Sequence, residues 1–448
     1  MKNQYFGTDG IRGRVGKDNI TAEFMLKLGW AFGQVLKRER RPKVLIGRDT
    51  RVSGMVLQSA LQAGLSAAGV DAQLLGVLPT PAVAYLTRSQ RADAGIVITA
   101  SHNPYFDNGV KFFNAEGMKL SDEIELAIER QINAAMVMAP SESLGAVCEV
   151  TDAGGRYIEF CKSIFPSQLN LDSLKIVLDC AHGATYQVAP AIFHELGAEV
   201  VSLFSQPDGF NINENCGATN VIALQQKVVE SGADIGIAFD GDGDRLMLVD
   251  HRGERVDGDQ ILFILSQGIS TGLASKQGVV GTLMSNLGLE QALENAGIEF
   301  VRSAVGDRYV LAELVKRGWT LGGESSGHIV NLDHTTTGDG IISSLEVLRV
   351  MQMSGKSLYD LKQAMTMRPQ VMINVPVFKV VDLQVYPKVQ EEIEKARAKL
   401  GSTGRILVRP SGTEPCVRVM AEGEDEADIR ATVESLAEKV QALLTSSL

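Results

Sequence analysis

The chain has 448 residues, 45% hydrophobic and 22% charged, an ordinary globular mix that excludes disorder as a description of the whole. Lys and Arg number 43 against 54 Asp and Glu, and the resulting net charge of −11 argues against general nucleic-acid binding. Cys148, Cys161, Cys180, Cys216 and Cys416 are odd in number and form no Cys-x-x-Cys pair. They argue against a disulfide framework or zinc ribbon and for a reducing compartment.

Met1 to Gly10 holds no apolar stretch of the signal-peptide kind. The uncharged segments near Ile261–Ser275 and Gln277–Leu289 are broken by Ser, Gln, Gly, Thr and Asn, so neither reads as a membrane span. A cytoplasmic protein with no membrane partner is the expectation.

Three stretches share one plan. The first opens with the apolar run Val44–Gly47. A helical Met55–Ala68 follows, then Leu74–Val77, and the block ends at Asp93–Ile98. The second opens with Lys175–Leu178, continues through a helical Val188–Leu196 and Gly197–Val201, and ends at Ala233–Ala238. The third opens with Gly278–Gly281, continues through a helical Leu287–Ala296 and Gly297–Val301, and ends at Gly318–Gly322. Short apolar runs suit strands buried on both faces, and intervening helices suit parallel strands joined by crossovers.

The plan predicts three related α/β domains with mixed, mostly parallel sheets around a central cleft. One large doubly wound sheet is the alternative. After Arg368 the pattern changes. A charged helix over Lys388–Leu400, strands at Arg405–Val408 and Cys416–Ala421 and a last helix over Glu426–Leu444 predict a small α+β domain. The boundaries read as 1–153, 154–254, 255–368 and 369–448. The charge run Glu422–Glu426 reads as a solvated helix N-terminus.

Ligands of open α/β sheets bind beyond the carboxyl ends of the strands. There the three blocks carry three polar loops: Thr99–Pro104, Asp240–Arg245 and Gly323–His328. Equivalent placement suggests one cleft with three walls. Asp240, Asp242 and Asp244 alternate with glycines and offer oxygen ligands for a hard divalent cation, Mg²⁺ or Ca²⁺. An EF-hand does not fit, because Arg245 and His251 stand where it needs Gly and Glu. A polar turn of unpaired carboxylates is the bland alternative.

Ser101, just past a buried strand, suits a nucleophile, a phosphate carrier or a turn. Beside a cation site it suggests phosphoryl chemistry. Lys111 reads as a cation or proton shuttle for that site, or as a surface charge. Gly323–Gly327 formally matches the Gly-x-Ser-x-Gly elbow of serine hydrolases, but Ile329-Val330 look like a strand where the elbow needs a helix. Arg409–Pro415, with Arg418 close behind, reads as an anion cradle or an ordinary turn. The glycine-rich Phe6–Gly13 holds Arg12, which gains meaning if the cleft contains a phosphoserine.

Taken in order, Thr99–Pro104, Asp240–Arg245, Gly323–His328 and Arg409–Pro415 resemble the four signature loops of the α-D-phosphohexomutases. The resemblance covers the whole chain. Thr99–Gly109, Phe6–Gly13 and Thr336–Gly340 look most like the bacterial amino-sugar branch.

The resemblance implies that Ser101 is phosphorylated, and that Mg²⁺ is held by Asp240, Asp242 and Asp244 with the phosphate on Ser101. Lys111 and Arg12 would flank the moving phosphoryl group, with His102 and His328 as proton-transfer candidates. Arg245, Glu324 and Ser326 would bind the sugar. Arg409, Ser411, Gly412, Thr413 and Arg418 would grip the phosphate that is not moving.

The implied reaction interconverts glucosamine 6-phosphate and glucosamine 1-phosphate through a bound glucosamine 1,6-bisphosphate, feeding UDP-N-acetylglucosamine synthesis. Glucose or mannose phosphates, and a non-catalytic sugar-phosphate sensor, are the competing readings. The partner is a small phosphosugar, with no nucleic acid, and a homodimer is compatible with the resemblance.

Overall fold

The structure is a computed structural model that describes residues 4–7, 9–17, 19–36, 40–270, 278–377, 382–410 and 416–445. Its described strands form four sheets, of six, five, four and three strands.

The first three sheets share a topology. In the first, Lys43–Arg48 is central and runs parallel to both Asp71–Val77 and Ala94–Ile98. In the second, Lys175–Asp179 lies between Glu199–Leu203 and Ile235–Phe239. In the third, Val279–Thr282 lies between Phe300–Ser303 and Leu321–Gly323. The apolar runs became strands for the expected reason: Val44, Leu45 and Ile46 are wholly buried, as are Ile176, Val177 and Leu178.

Each block continues one strand further than the apolar runs suggest. Asp107–Asn114, Leu246–Asp250 and Ile329–Asn331 run antiparallel beside the third strand of their sheets. Polar residues hide the first of these: Asp107, Asn108, Lys111 and Asn114 interrupt its apolar pattern. The consequence is local. Every polar loop joins a third strand to an antiparallel fourth, so its backbone returns to the sheet end it left. Arg255–Val256 pairs with Leu248 and Val249, so the second sheet reaches past residue 254, where the sequence suggested a boundary.

One hydrophobic core runs through all three sheets, from Leu45 and Val97 through Tyr157, Ile176 and Phe239 to Ile261, Leu321 and Leu345. The C-terminal sheet has a separate core, with Val417 and Val419 packed against Ile429, Val433 and Val440 of the helix Glu426–Thr445. Its strand Gln370–Pro376, unmarked in the sequence, pairs with Cys416–Glu422.

Polar contacts dock this domain. Arg405 donates to the carbonyls of Leu283 (2.9 Å) and Ser285 (3.1 Å) and pairs with Glu422, which accepts from the Leu287 N–H at 3.1 Å. Glu422 is fully buried, so it does not belong to the solvated charge run expected at 422–426. As the last residue of a strand it points inward, which a count of adjacent charges misses.

No disulfide joins any of the five cysteines among the described residues. No described helix is long and apolar enough to cross a membrane.

Candidate active site

The loop after Ala94–Ile98 places Ser101 in the left-handed backbone region, at φ +52°. For a serine this costs on the order of 1 kcal/mol, so the surroundings must hold it there. Its N–H donates to Thr99 Oγ1 at 2.9 Å. Its Oγ donates to Asp240 Oδ2 at 2.6 Å, and His102 Nδ1 lies 3.4 Å from Ser101 Oγ. Ser101 is 1% exposed.

The loop after Ile235–Phe239 gathers three carboxylates. One oxygen each from Asp240, Asp242 and Asp244 lies within 4.8 Å of the others, and all three residues are buried. Gly243, at φ +73°, makes the turn that brings them together. Gly241 allows the approach to the serine loop, because a Cβ there would stand 2.6 Å from the Ser101 carbonyl.

This cluster is unfavourable by itself. Burial raises the Asp240 pKa well above the usual carboxylate range, and the charges on Asp244 and Asp242 raise it further. Oδ1 of Asp242 and Oδ1 of Asp244 are buried with no described hydrogen-bond partner. Three converging carboxylates, two of which carry such an oxygen, fit a divalent cation.

Lys111 projects from the antiparallel strand Asp107–Asn114 into the same centre. Its Nζ lies 2.9 Å from Asp242, 2.7 Å from Asp244 and 3.2 Å from Asp9. Burial lowers its pKa, but the three carboxylates outweigh this and raise it well above its ordinary value. Lys111 is therefore a fixed cation.

His102 is opposite in character. Burial lowers its pKa to about 4, with Arg245 and Arg12 adding to the effect, so the ring is neutral near pH 7. Arg12 pairs with Asp9, and its Nε is buried without a described partner.

The third loop meets the second through glycines. Leu246 N–H donates to the Gly327 carbonyl at 3.0 Å, and a Cβ on Gly327 would stand 2.0 Å from the Leu246 carbonyl. Gly340 N–H reaches the Gly243 carbonyl at 3.0 Å. This contact sets His328 Nε2 3.9 Å from Asp244 and 3.6 Å from Asp307, with neither ring nitrogen in a described hydrogen bond.

Arg245 feels Asp240, Asp244 and Glu324, and their charges outweigh its burial to raise its pKa. Glu324 accepts from the Gly306 N–H at 2.9 Å, and Ser326 is half-buried in the same turn. The chain leaves this loop as the strand Ile329–Asn331, so the helix needed for a hydrolase elbow is not there.

Arg409 and Arg418 face each other across two strands of the C-terminal sheet. Burial lowers the Arg409 pKa, and the like charge on Arg418 lowers it further. Such a pair favours an anion between its members. Ser411, Gly412 and Thr413 lie outside the described residues.

Several participants went unnoticed in the sequence. Thr80, from the crossover helix Thr80–Ser89, donates to Asp242 Oδ2 at 2.6 Å. Lys119 bridges Asp9 and Asp307, 2.5 Å from each. No motif marks them; Asp9 alone sat inside a stretch already noted for its glycines.

The chain is similar to known proteins along nearly its whole length. Residues 3–137, 155–253, 257–368 and 372–439 match, in order, domains I, II, III and the C-terminal domain of phosphoglucomutase/phosphomannomutase. A protein of Coxiella burnetii (strain Dugway 5J108-111) named phosphoglucosamine mutase is 60% identical over 442 residues, covering 98% of this chain and 99% of that one. One of the same name from Pseudomonas putida is 56% identical over 441 residues, covering 98% and 99%.

A crystal structure of a phosphoglucomutase/phosphomannomutase family protein from Burkholderia thailandensis superposes with a TM-score of 0.82 at 25% identity, covering 99% of this chain and 98% of that one. With four domains matched in sequence order and relatives of this identity along almost its whole length, the chain belongs to the α-D-phosphohexomutase family of phosphoglucomutases and phosphomannomutases.

Proposed function

We propose that this chain is an enzyme interconverting glucosamine 6-phosphate and glucosamine 1-phosphate, with Ser101 as the phosphoryl carrier. The observation that carries the reading is the 2.6 Å contact between the Ser101 hydroxyl and Asp240 inside a trio of carboxylates. The choice of amino sugar rests on the two relatives that bear that name.

In the forward direction the sugar's 1-hydroxyl oxygen attacks the phosphorus on Ser101. A sugar O–P bond forms, the Oγ–P bond breaks, and the hydroxyl proton passes to a base while the serine oxygen regains one. The bisphosphate then turns within the cleft. Oγ attacks the 6-phosphorus, the O6–P bond breaks, and O6 takes the proton.

Asp240, Asp242 and Asp244 would hold a divalent cation, best Mg²⁺ for an all-oxygen set. When bound it neutralises charge on the transferring group. Lys111 supplies a further fixed positive charge, with Arg12 nearby. His102, 3.4 Å from the serine oxygen, suits proton transfer on one side, and His328, across the trio, on the other. Burial of Ser101 keeps water from the phosphoserine.

Arg245, Glu324 and Ser326 would bind sugar hydroxyls, while Arg409 and Arg418 would hold the distal phosphate. Five cysteines without a disulfide suit the reducing cytoplasm.

The test is turnover with glucosamine, glucose and mannose 6-phosphates, together with a mass spectrum of the Ser101 peptide. Preference for the amino sugar and one added phosphate on that peptide are expected. Better turnover of glucose or mannose 6-phosphate would move the assignment to another branch. Full activity in Ser101→Ala would remove the carrier, and binding without turnover in the wild type would make the protein a sensor.

A further inference from the structure

Arg51 lies close to Ser101 and is only 1% exposed. A guanidinium has five N–H donors, and here all five are engaged. Nε donates to Asp49 Oδ2 at 2.8 Å. Nη1 donates to the carbonyls of Pro104 and, at 3.1 Å, Asp107. Nη2 donates to the carbonyls of Ser101 (3.0 Å) and Asn103 (2.7 Å). Nothing is left over for a phosphate, so this arginine is not a substrate ligand.

A second donor reaches the same two carbonyls from the second sheet's domain. Asn213 Nδ2 donates to Ser101 O at 2.8 Å and to Asn103 O at 3.0 Å. Each carbonyl thus accepts from both side chains, which fills its two lone pairs. Asn213 is itself held in place, at φ +60°, by its N–H bond to the Ala181 carbonyl at 2.9 Å.

We propose that Arg51 and Asn213 are positioning residues, a two-sided clamp on the carbonyls of the Ser101 loop. The clamp holds Ser101 in its left-handed conformation and aims Oγ at Asp240. One jaw comes from each of two domains, so phosphoryl transfer is coupled to the docking of those domains. The inference rests on Ser101 being the phosphoryl carrier.

Neither jaw touches the sugar site, so loss of a jaw should act on kcat and leave KM alone. A displacement near 1 Å at the reacting atom costs about a hundredfold in rate. The test uses the full chain with Mg²⁺ and glucosamine 6-phosphate.

Asn213→Ala removes two donors, and Asn213→Asp turns an acceptor toward two carbonyls. We expect kcat to fall about tenfold in the first and about a hundredfold in the second, following that geometric sensitivity. KM should stay within about twofold, the melting temperature within a few degrees, and phosphoserine should be lost to water faster when sugar is absent. Arg51→Lys, which keeps the charge and at most three donors, should show the same split if it folds; the Asn213 pair decides the matter if it does not.

Wild-type kcat in Asn213→Asp would overturn the clamp, as would a rise in KM at constant kcat. A kcat loss accompanied by a matching loss of folded protein would do the same. An active Ser101→Ala enzyme would instead mark failure of the carrier reading itself.

Discussion

Lys111 Nζ and Asp244 Oδ2 lie 2.7 Å apart although 133 residues separate them in sequence. The lysine belongs to the first sheet and the aspartate to the second sheet's loop, so the ion pair exists only when the two domains meet. Lys111→Met should therefore act on both stability and rate. Stranding buried carboxylates costs about 3–5 kcal/mol, and a bound divalent cation would offset part of this. Urea unfolding should show a larger destabilisation in EDTA than in Mg²⁺, with kcat reduced about a hundredfold or more. An equal destabilisation in both buffers would mean that Lys111 is not the counter-charge of the trio.

The orphaned oxygens of Asp242 and Asp244 lead to a second expectation. Chelation should abolish turnover, and Mg²⁺ should restore it. Mg²⁺ at about 100 times its dissociation constant should also stabilise the wild type by about 2.7 kcal/mol. Asp240→Asn/Asp242→Asn should lose that gain, its melting temperature becoming independent of Mg²⁺. Calorimetric melting with and without Mg²⁺ reads both effects, and a retained Mg²⁺ shift would disprove ligation by these residues.

Asp179 gives a pH dependence. Its carboxylate accepts from the N–H groups of Ala181 (2.9 Å) and Gly217 (2.8 Å), bracketing the segment that carries Asn213. Burial raises its pKa from 3.8 to about 7, against the lowering effect of those two N–H groups. A raised folded-state pKa contributes stability that is complete below pH 3.8 and is lost as pH rises through about 7. Asp179→Asn is neutral at every pH and loses one acceptor. Wild type should therefore exceed the variant most at pH 5, with the gap narrowing by a few kcal/mol on the order implied by such a shift toward pH 8. Urea midpoints across that range check it; a gap that widens with pH contradicts the sign.

Arg405 and Glu422 dock the C-terminal domain beside Leu283–Leu287. Arg405→Met removes bonds to a buried carboxylate and two carbonyls, each charge-assisted bond worth about 1.5–3 kcal/mol. The KM for sugar phosphate should rise about tenfold, since one such bond corresponds to roughly that factor. The phosphorylated fraction of Ser101, read by intact mass, should not change. Loss of phosphorylation would show that the domain does more than the phosphate grip proposed for it.

The repeat of parallel blocks was legible because buried parallel strands are nearly pure apolar runs, as Val44–Ile46 and Ile176–Leu178 are. The antiparallel strand Asp107–Asn114 was not, because Asn108 and Lys111 turn to polar partners, Ser53 and Asp242, and break the pattern. Glu422 was misjudged for a related reason. Its partner, Arg405, is remote in sequence, so nothing near Glu422 in the chain signals that its burial is compensated.

Local sequence determined the parts that act through neighbours: three carboxylates spaced by glycines, a serine at a strand end, glycines where the backbone turns. Those features need only the chain's own short-range geometry. Tertiary structure alone decided that Thr80, Asp9, Lys119 and Asp307 join the centre, and that Arg51 faces carbonyls while Lys111 faces carboxylates. A buried charge takes its role from whatever group lies within hydrogen-bond distance, and that distance is set by how the sheets pack against one another.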